Sequence, residues 1–96
     1  MKPKTDTPSE EAELLAISAL GFLASDQDRL QRFMDLSGLD VAALRAQAGN
    51  PAFLGGILDH LLADESLLLV FAEDQQVKPE RIATLRRKLP GASLDF

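Results

Sequence analysis

The chain of 96 residues contains no cysteine, no tryptophan and no tyrosine, and it has a single histidine. Without cysteine it has no disulfide framework, no thiolate metal site and no cysteine nucleophile. The longest purely apolar run, residues 67–72, is too short to span a bilayer. The basic residues at the start are not followed by an apolar stretch, which argues against a signal peptide. We therefore expect a cytoplasmic protein with no membrane partner.

Positive charge is also scarce, because 10 Lys and Arg face 15 Asp and Glu, a net charge of −5. Binding to a polyanion needs a basic face, so we expect no nucleic-acid partner. Residues 26–48 have the outline of a helix-turn-helix, but the second helix offers only Arg45 and Gln47 to bases or phosphates. A nucleic-acid adaptor stays open as a third hypothesis, and it would need a basic stripe joining Arg29, Arg32 and Arg45.

What the chain has instead is an internal repeat at a constant offset of 38 positions. Five residues are identical in both copies: Leu20, Leu23, Asp26, Leu30 and Phe33 recur as Leu58, Leu61, Asp64, Leu68 and Phe71. Repeats of this length indicate stacked supersecondary units that share a core. The sequence therefore predicts an all-α fold, a compact six-helix bundle made of two pseudo-repeated three-helix units, at about 7–49 and 50–91.

Capping residues and helix-stopping residues give the boundaries of these helices. Side chains that accept hydrogen bonds from free backbone N–H groups precede five predicted helices: Thr7, Asp26, Asp40, Asn50 and Asp64. Gly38 is predicted to end the second helix in the left-handed conformation, and Lys78 is a poor cap before the sixth. We expect one helical domain over residues 7–91, a disordered tail at 1–6 and a C-terminal tail at 92–96.

The copies differ most in the second helix of each unit. Three polar residues of the first copy become apolar in the second: Arg29, Gln31 and Arg32 align with Leu67, Leu69 and Val70. The fifth helix is consequently apolar on every face, which is typical of a helix that is either buried in the core or covered by a partner. Under the second interpretation, we predict interaction residues at Leu67, Leu69 and Val70, with Arg29 and Arg32 on the corresponding face of the first unit.

His60 is the centre of the rival hypothesis, an enzyme or small-ligand binder that uses it with Asp59 or Asp64. A catalytic histidine needs an orienting acid within reach, whereas Asp64 is better placed as a helix cap. His60 aligns with Phe22 of the first copy, which favours a packing role. The sequence contains no recognisable nucleotide or metal motif, so it predicts no catalytic, cofactor-binding or metal-binding residue and no cofactor.

Two further groups of residues have structural interpretations. Gly55 and Gly56 lie inside a helical run and, together with Gly21, are expected to let two helices approach closely. The run Arg86-Arg87-Lys88 closes the last helix, where positive charge complements the helix dipole.

Four stretches resemble a known family of small bacterial proteins, the domain of unknown function family 3572. They are Ala19 to Asp26, Leu30 to Met34, Ser37 to Asp40 and Asp64 to Leu68. The likeness covers roughly residues 10–90, and its motifs are caps and core leucines. It implies a helical, cytoplasmic protein, carries over no catalytic residue, and favours signalling proteins as partners. Taken together, we predict a non-enzymatic interaction or regulatory protein that binds another protein or a second copy of itself.

Overall fold

Six α-helices make up the fold in a computed structural model that describes residues 8–91. Their bounds are α1 Pro8–Ala24, α2 Gln27–Ser37, α3 Val41–Gln47, α4 Pro51–Leu62, α5 Glu65–Gln75 and α6 Pro79–Arg86. No strand occurs in this range, and the all-α prediction is confirmed. None of these helices has the length and apolar character to cross a bilayer. The predicted tails at 1–6 and 92–96, and the predicted cap at Thr7, lie outside the described residues.

Four of the helices begin at side-chain caps that the sequence predicted. Asp26 accepts hydrogen bonds from the backbone N–H groups of Asp28 and Arg29, at 2.9 and 3.2 Å. Three further caps each accept one backbone N–H: Asp40 from Ala43, Asn50 from Ala52 and Asp64 from Leu67. Lys78 makes no side-chain capping bond. Local chemistry therefore determines where most of the helices start.

Two helices end in the left-handed conformation, one at glycine and one at glutamine. Gly38 follows α2 with φ 77°, as predicted, and its N–H donates to the carbonyl oxygen of Met34. Gln76 follows α5 with φ 58°, a conformation in which the side chain of an L-residue is strained. Glycine adopts this left-handed conformation without strain after α2, whereas glutamine adopts it with strain after α5.

The centre of the bundle is formed by α1 and α4. The helix α1 packs on α2, α4 and α6, and α4 also packs on α5 and α6. The fully buried side chains of this core include Leu23, Leu54, Ile57, Leu58, Leu61, Phe71 and Ile82. The Phe22 and Phe71 rings meet at a centroid distance of 5.2 Å between α1 and α5.

The helix α5 is not buried on all sides, so the interpretation of it as a central core helix is wrong. Only Phe71 and Ala72 of α5 are buried, while Leu69 and Val70 are 49% and 48% exposed. The helix lies against α4 and α6, and Leu67 and Leu68 are partly buried against the core. Leu69 and Val70 face outward because no further helix covers them within residues 8–91.

Arg86 is buried, contrary to the expectation that it only complements a helix dipole. Its guanidinium takes the space beside Gly55, where an added Cβ would lie 2.7 Å from Nη1. Gly55 therefore makes room for the Arg86 side chain of α6 and for the carbonyl oxygen of Pro90, as expected of a glycine at which two helices approach closely. Among the described residues, a Cβ at Gly21 or Gly56 would meet no atom of another helix within 4 Å, so the expected close helix approach is wrong at both positions.

Candidate functional site

A groove of about 340 Å³ opens between α2, the end of α4 and the first turns of α5. Its walls are mostly apolar, and it is open to solvent along one side. We call it the α2–α5 groove. Eight residues line it: Asp28, Arg29, Arg32, His60, Asp64, Ser66, Leu67 and Val70.

The α2–α5 groove brings together most of the residues that the sequence singled out for interaction. Arg29, Arg32, Leu67 and Val70 all line it. Leu69 does not, because it lies on the other side of α5, in a depression shared with residues 76–79. The two neighbours Leu69 and Val70 are equally exposed but belong to different surfaces.

Two guanidinium groups face this groove without an acidic partner. The Arg29 guanidinium carbon lies 4.4 Å from the centroid of the Phe22 ring, a distance at which a cation is attracted to the face of an aromatic ring. Within residues 8–91, the side chains of Arg29 and Arg32 form no ion pair; the ion pairs there join Arg81 to Glu11 and Arg86 to Asp59. Neither guanidinium is therefore held by an ion pair among the described residues, although Asp28 and Asp64 line the same groove.

His60 stands at the back of the groove with one ring nitrogen unsatisfied. Its ring meets that of Phe33 edge to face at 5.0 Å between centroids. Its Nε2 atom is buried and has no hydrogen-bond partner within residues 8–91. Burial and, to a lesser extent, the positive charge of Arg32 lower the pKa of His60, while Asp64 opposes them. The two leading effects favour the neutral form of the imidazole.

The carboxylates that the rival hypothesis needs are engaged elsewhere. Both oxygens of Asp59 bind the guanidinium of Arg86, at 2.6 and 2.9 Å. Asp64 lies in the groove, but one of its oxygens caps α5. Within the described residues, His60 therefore has no carboxylate as a hydrogen-bond partner. Arg45, on α3, is not among the residues of the groove, so the basic stripe needed for a nucleic-acid adaptor is not assembled there.

A second groove runs between α1 and α5, and most of its residues were missed from the sequence. We call it the α1–α5 groove; its lining residues are Ser18, Gly21, Phe22, Ser25, Arg29, Val70, Asp74 and Gln75. Leu14 and Ile17, on the same helix, are large apolar side chains about half exposed. The signal was present, because α1 is apolar on nearly every face, as α5 is. The internal repeat indicates only α5 as a binding surface, because the two copies differ there.

Comparison with known proteins agrees with the resemblance carried by the sequence motifs. The family model described as "Protein of unknown function (DUF3572)" matches residues 9–92. No curated protein and no solved structure matches the chain.

Proposed function

This chain belongs to the DUF3572 family, and we propose that it is a non-enzymatic protein-interaction module that binds its partner in the α2–α5 groove. The observation that carries this proposal is the combination of an apolar wall with two guanidinium groups that form no ion pair within the described residues. Leu67 and Val70 supply the wall, and Arg29 and Arg32 supply the charge. Apolar walls with a few placed polar groups are typical of recognition sites.

The chemistry of the groove specifies the kind of segment that fits it. Apolar side chains of the partner would lie against Leu67 and Val70, and a carboxylate would meet Arg32. Because Arg32 is exposed, its charge would mainly set orientation and the rate of association, while the burial of apolar area would provide most of the affinity. The expected partner is therefore a protein segment with an apolar residue next to Asp or Glu. Signalling proteins are the class we favour.

A defined library of displayed peptides tests this proposal, because selection from it requires only the folded protein as bait. We expect selected peptides to combine apolar residues with at least one acidic residue. Val70→Lys and Arg32→Glu should each weaken their binding by about ten-fold or more, which corresponds to roughly 1.4 kcal/mol. Leu69→Lys is the matched control, since Leu69 is as exposed as Val70 on the same helix but lies outside the groove.

The proposal is wrong if the selected peptides bind Val70→Lys and Arg32→Glu as tightly as the unaltered protein. It is also wrong if Leu69→Lys abolishes binding as thoroughly as Val70→Lys, because the site would then not be this groove. Circular dichroism spectra of all three variants establish that they remain folded.

A small-ligand site at His60 is the second candidate, favoured by the buried Nε2 atom without a partner. A ligand that offers a hydrogen bond to this nitrogen would relieve the cost of leaving it unsatisfied. Screening a fragment library by the NMR signals of the His60 ring tests this candidate. Binding that persists in His60→Phe, the residue type found at the aligned position Phe22, contradicts it.

We also propose that the two halves of the bundle are copies of one ancestral unit. In support, Asp26 and Asp64 both cap helices, and the aligned pair Phe33 and Phe71 is buried in both halves. The α2–α5 groove would then lie where the second copy exchanged polar residues for apolar ones. An experimental structure in which residues 7–49 and 50–91 superpose helix by helix would support the duplication, and unrelated helix packing would contradict it.

A further inference from the structure

The helix α1 carries a second apolar seam on the face opposite the core. Its buried face presents Ala12, Ala16, Ala19 and Leu23 to the bundle. The exposed positions on the other face are Glu10, Leu14, Ile17, Gly21 and Ala24. They follow one another at alternating steps of four and three residues, the spacing at which one helix packs along another. Leu14 and Ile17 are 51% and 49% exposed, so this seam is uncovered.

We propose that this seam is covered by a second copy of the chain, whose α1 packs antiparallel against it in a two-fold symmetric dimer. The two-fold axis passes beside Ile17 and Ser18. Leu14 of each copy then enters the depression at Gly21 of the other. This proposal does not rest on the proposed function. Arg29 and Val70 line both the α1–α5 groove and the α2–α5 groove, but Arg32 and Leu67 line only the α2–α5 groove.

The exposed face of α1 is complementary in shape to a second copy of itself. Leu14 and Gly21 are seven residues apart and therefore lie on the same face of α1. Leu14 projects from the surface, whereas a Cβ at Gly21 would meet nothing within 4 Å, so the surface is open there. The α1–α5 groove beside Gly21 measures about 470 Å³. In an antiparallel pair, both projections meet both depressions at once, as a two-fold interface requires.

The charged residues beside the two ends of the seam favour the antiparallel direction. Glu13 flanks the N-terminal half of the seam beside Glu11, whose carboxylate is already paired with Arg81. Arg29 flanks its C-terminal end, with the guanidinium over Phe22, next to Gly21. An antiparallel pair places the N-terminal end of one copy beside the groove of the other that holds both Arg29 and Asp74. This direction is therefore favoured mainly because it avoids the repulsion of a parallel pair. A parallel pair would place the acidic ends together, and its helix dipoles would also repel.

A size-swap experiment tests both the interface and its direction. Leu14→Ala removes the projection, and Gly21→Leu fills the depression. Each variant alone should dimerise about 100-fold more weakly than the unaltered protein or worse, because two symmetric contacts are lost in every dimer. An equimolar mixture should form a heterodimer, since the two substituted positions then face each other in one contact while Leu14 faces Gly21 in the other. Analytical ultracentrifugation and native mass spectrometry measure these equilibria.

Two matched controls separate the seam from general surface effects. Leu36→Ala removes an exposed leucine of α2, and Gly56→Leu adds a side chain at an exposed, open glycine of α4. Both should dimerise like the unaltered protein, and so should Arg32→Glu. A wild-type chain that stays monomeric at submillimolar concentration overturns the proposal. Dimers that tolerate Leu14→Ala also overturn it, and a mixture that shows no rescue overturns the antiparallel pairing.

Discussion

Arg86 of α6 and Asp59 of α4 form a bidentate ion pair that joins the two helices. Nε and Nη2 of Arg86 donate to the two carboxylate oxygens of Asp59, at 2.6 and 2.9 Å. The remaining nitrogen, Nη1, donates to the carbonyl oxygens of Leu89 and Pro90. The arginine is 6% exposed, so one buried guanidinium satisfies the carbonyl groups that follow α6 and also holds α6 against α4.

Replacing this arginine should destabilise the fold more than replacing an exposed one. Arg86→Ala loses the ion pair and leaves two carbonyl groups with fewer partners, so we expect a loss of about 2–4 kcal/mol in the free energy of unfolding. Arg81→Ala is the control, because its pair with Glu11 is half exposed and such pairs contribute about 0–1 kcal/mol. Urea denaturation followed by circular dichroism compares the two. Equal losses would show that the burial of Arg86 is unimportant.

The neighbouring glycines of α4 should respond to alanine in opposite directions. A Cβ at Gly55 would lie 2.7 Å from Nη1 of Arg86 and 3.0 Å from the carbonyl oxygen of Pro90, both of which are held by their own contacts. We therefore expect Gly55→Ala to destabilise the protein by about 1–3 kcal/mol. Gly56→Ala meets no atom within 4 Å and should stabilise it by about 0.5–1 kcal/mol through helix propensity. Thermal unfolding of both variants measures the difference, and a gain in stability for Gly55→Ala would contradict the prediction.

The pH dependence of stability should contain a contribution from His60. Burial and Arg32 lower its pKa in the folded state from 6.5. Between the two pKa values the unfolded chain binds more protons, so this contribution is complete above 6.5 and is lost as the pH falls toward the folded value. The variant His60→Phe should flatten the stability profile in that range, as measured by denaturant titrations from pH 7 downward. An unchanged profile would assign the pH dependence to other groups.

The pKa of His60 should itself depend on one groove arginine and not on the other. Arg32→Gln removes the positive charge that helps to lower the pKa of His60, so the pKa should rise, though by less than burial lowers it. Arg29→Gln is the matched control, since Arg29 is not among the causes of the shift although it lines the same groove. An NMR titration of the imidazole signals distinguishes the variants. Equal shifts in both would contradict the local origin of the effect.

The left-handed residue after α5 offers a stabilising substitution. Gln76 takes φ 58° where Gly38 takes φ 77° after α2. The left-handed conformation costs an ordinary L-residue about 1–2 kcal/mol. The hydrogen bond from its side-chain amide to the carbonyl oxygen of Glu73 is exposed and returns less than that. Gln76→Gly should therefore raise the free energy of unfolding by about 0.5–1 kcal/mol after the greater entropy of the unfolded glycine is counted. Gly38→Ala should lower it, and the same denaturation assay checks both.

The predicted helices were largely correct because their boundaries depend on local chemistry. Asp26, Asp40, Asn50 and Asp64 cap helices by binding N–H groups two or three residues away, so residue type and position are sufficient to predict them. The candidate site was predicted in part. Arg29, Arg32, Leu67 and Val70 share a groove, whereas Leu69 belongs to the opposite side of α5.

What the amino-acid sequence determined alone is therefore the set of helices, their caps and the family to which the chain belongs. The tertiary structure decided which faces of these helices are covered. An apolar helix such as α5 has no preferred side until its neighbours are placed, and α4 and α6 cover Phe71 and Ala72 while leaving Leu69 and Val70 exposed. The tertiary structure also decided the ion-pair partner of Arg86, because Asp59 is distant in sequence and becomes its neighbour only when α6 packs against α4. Hydrogen bonds between residues within one helical turn can be predicted from the sequence, whereas contacts between separate helices depend on how the helices pack.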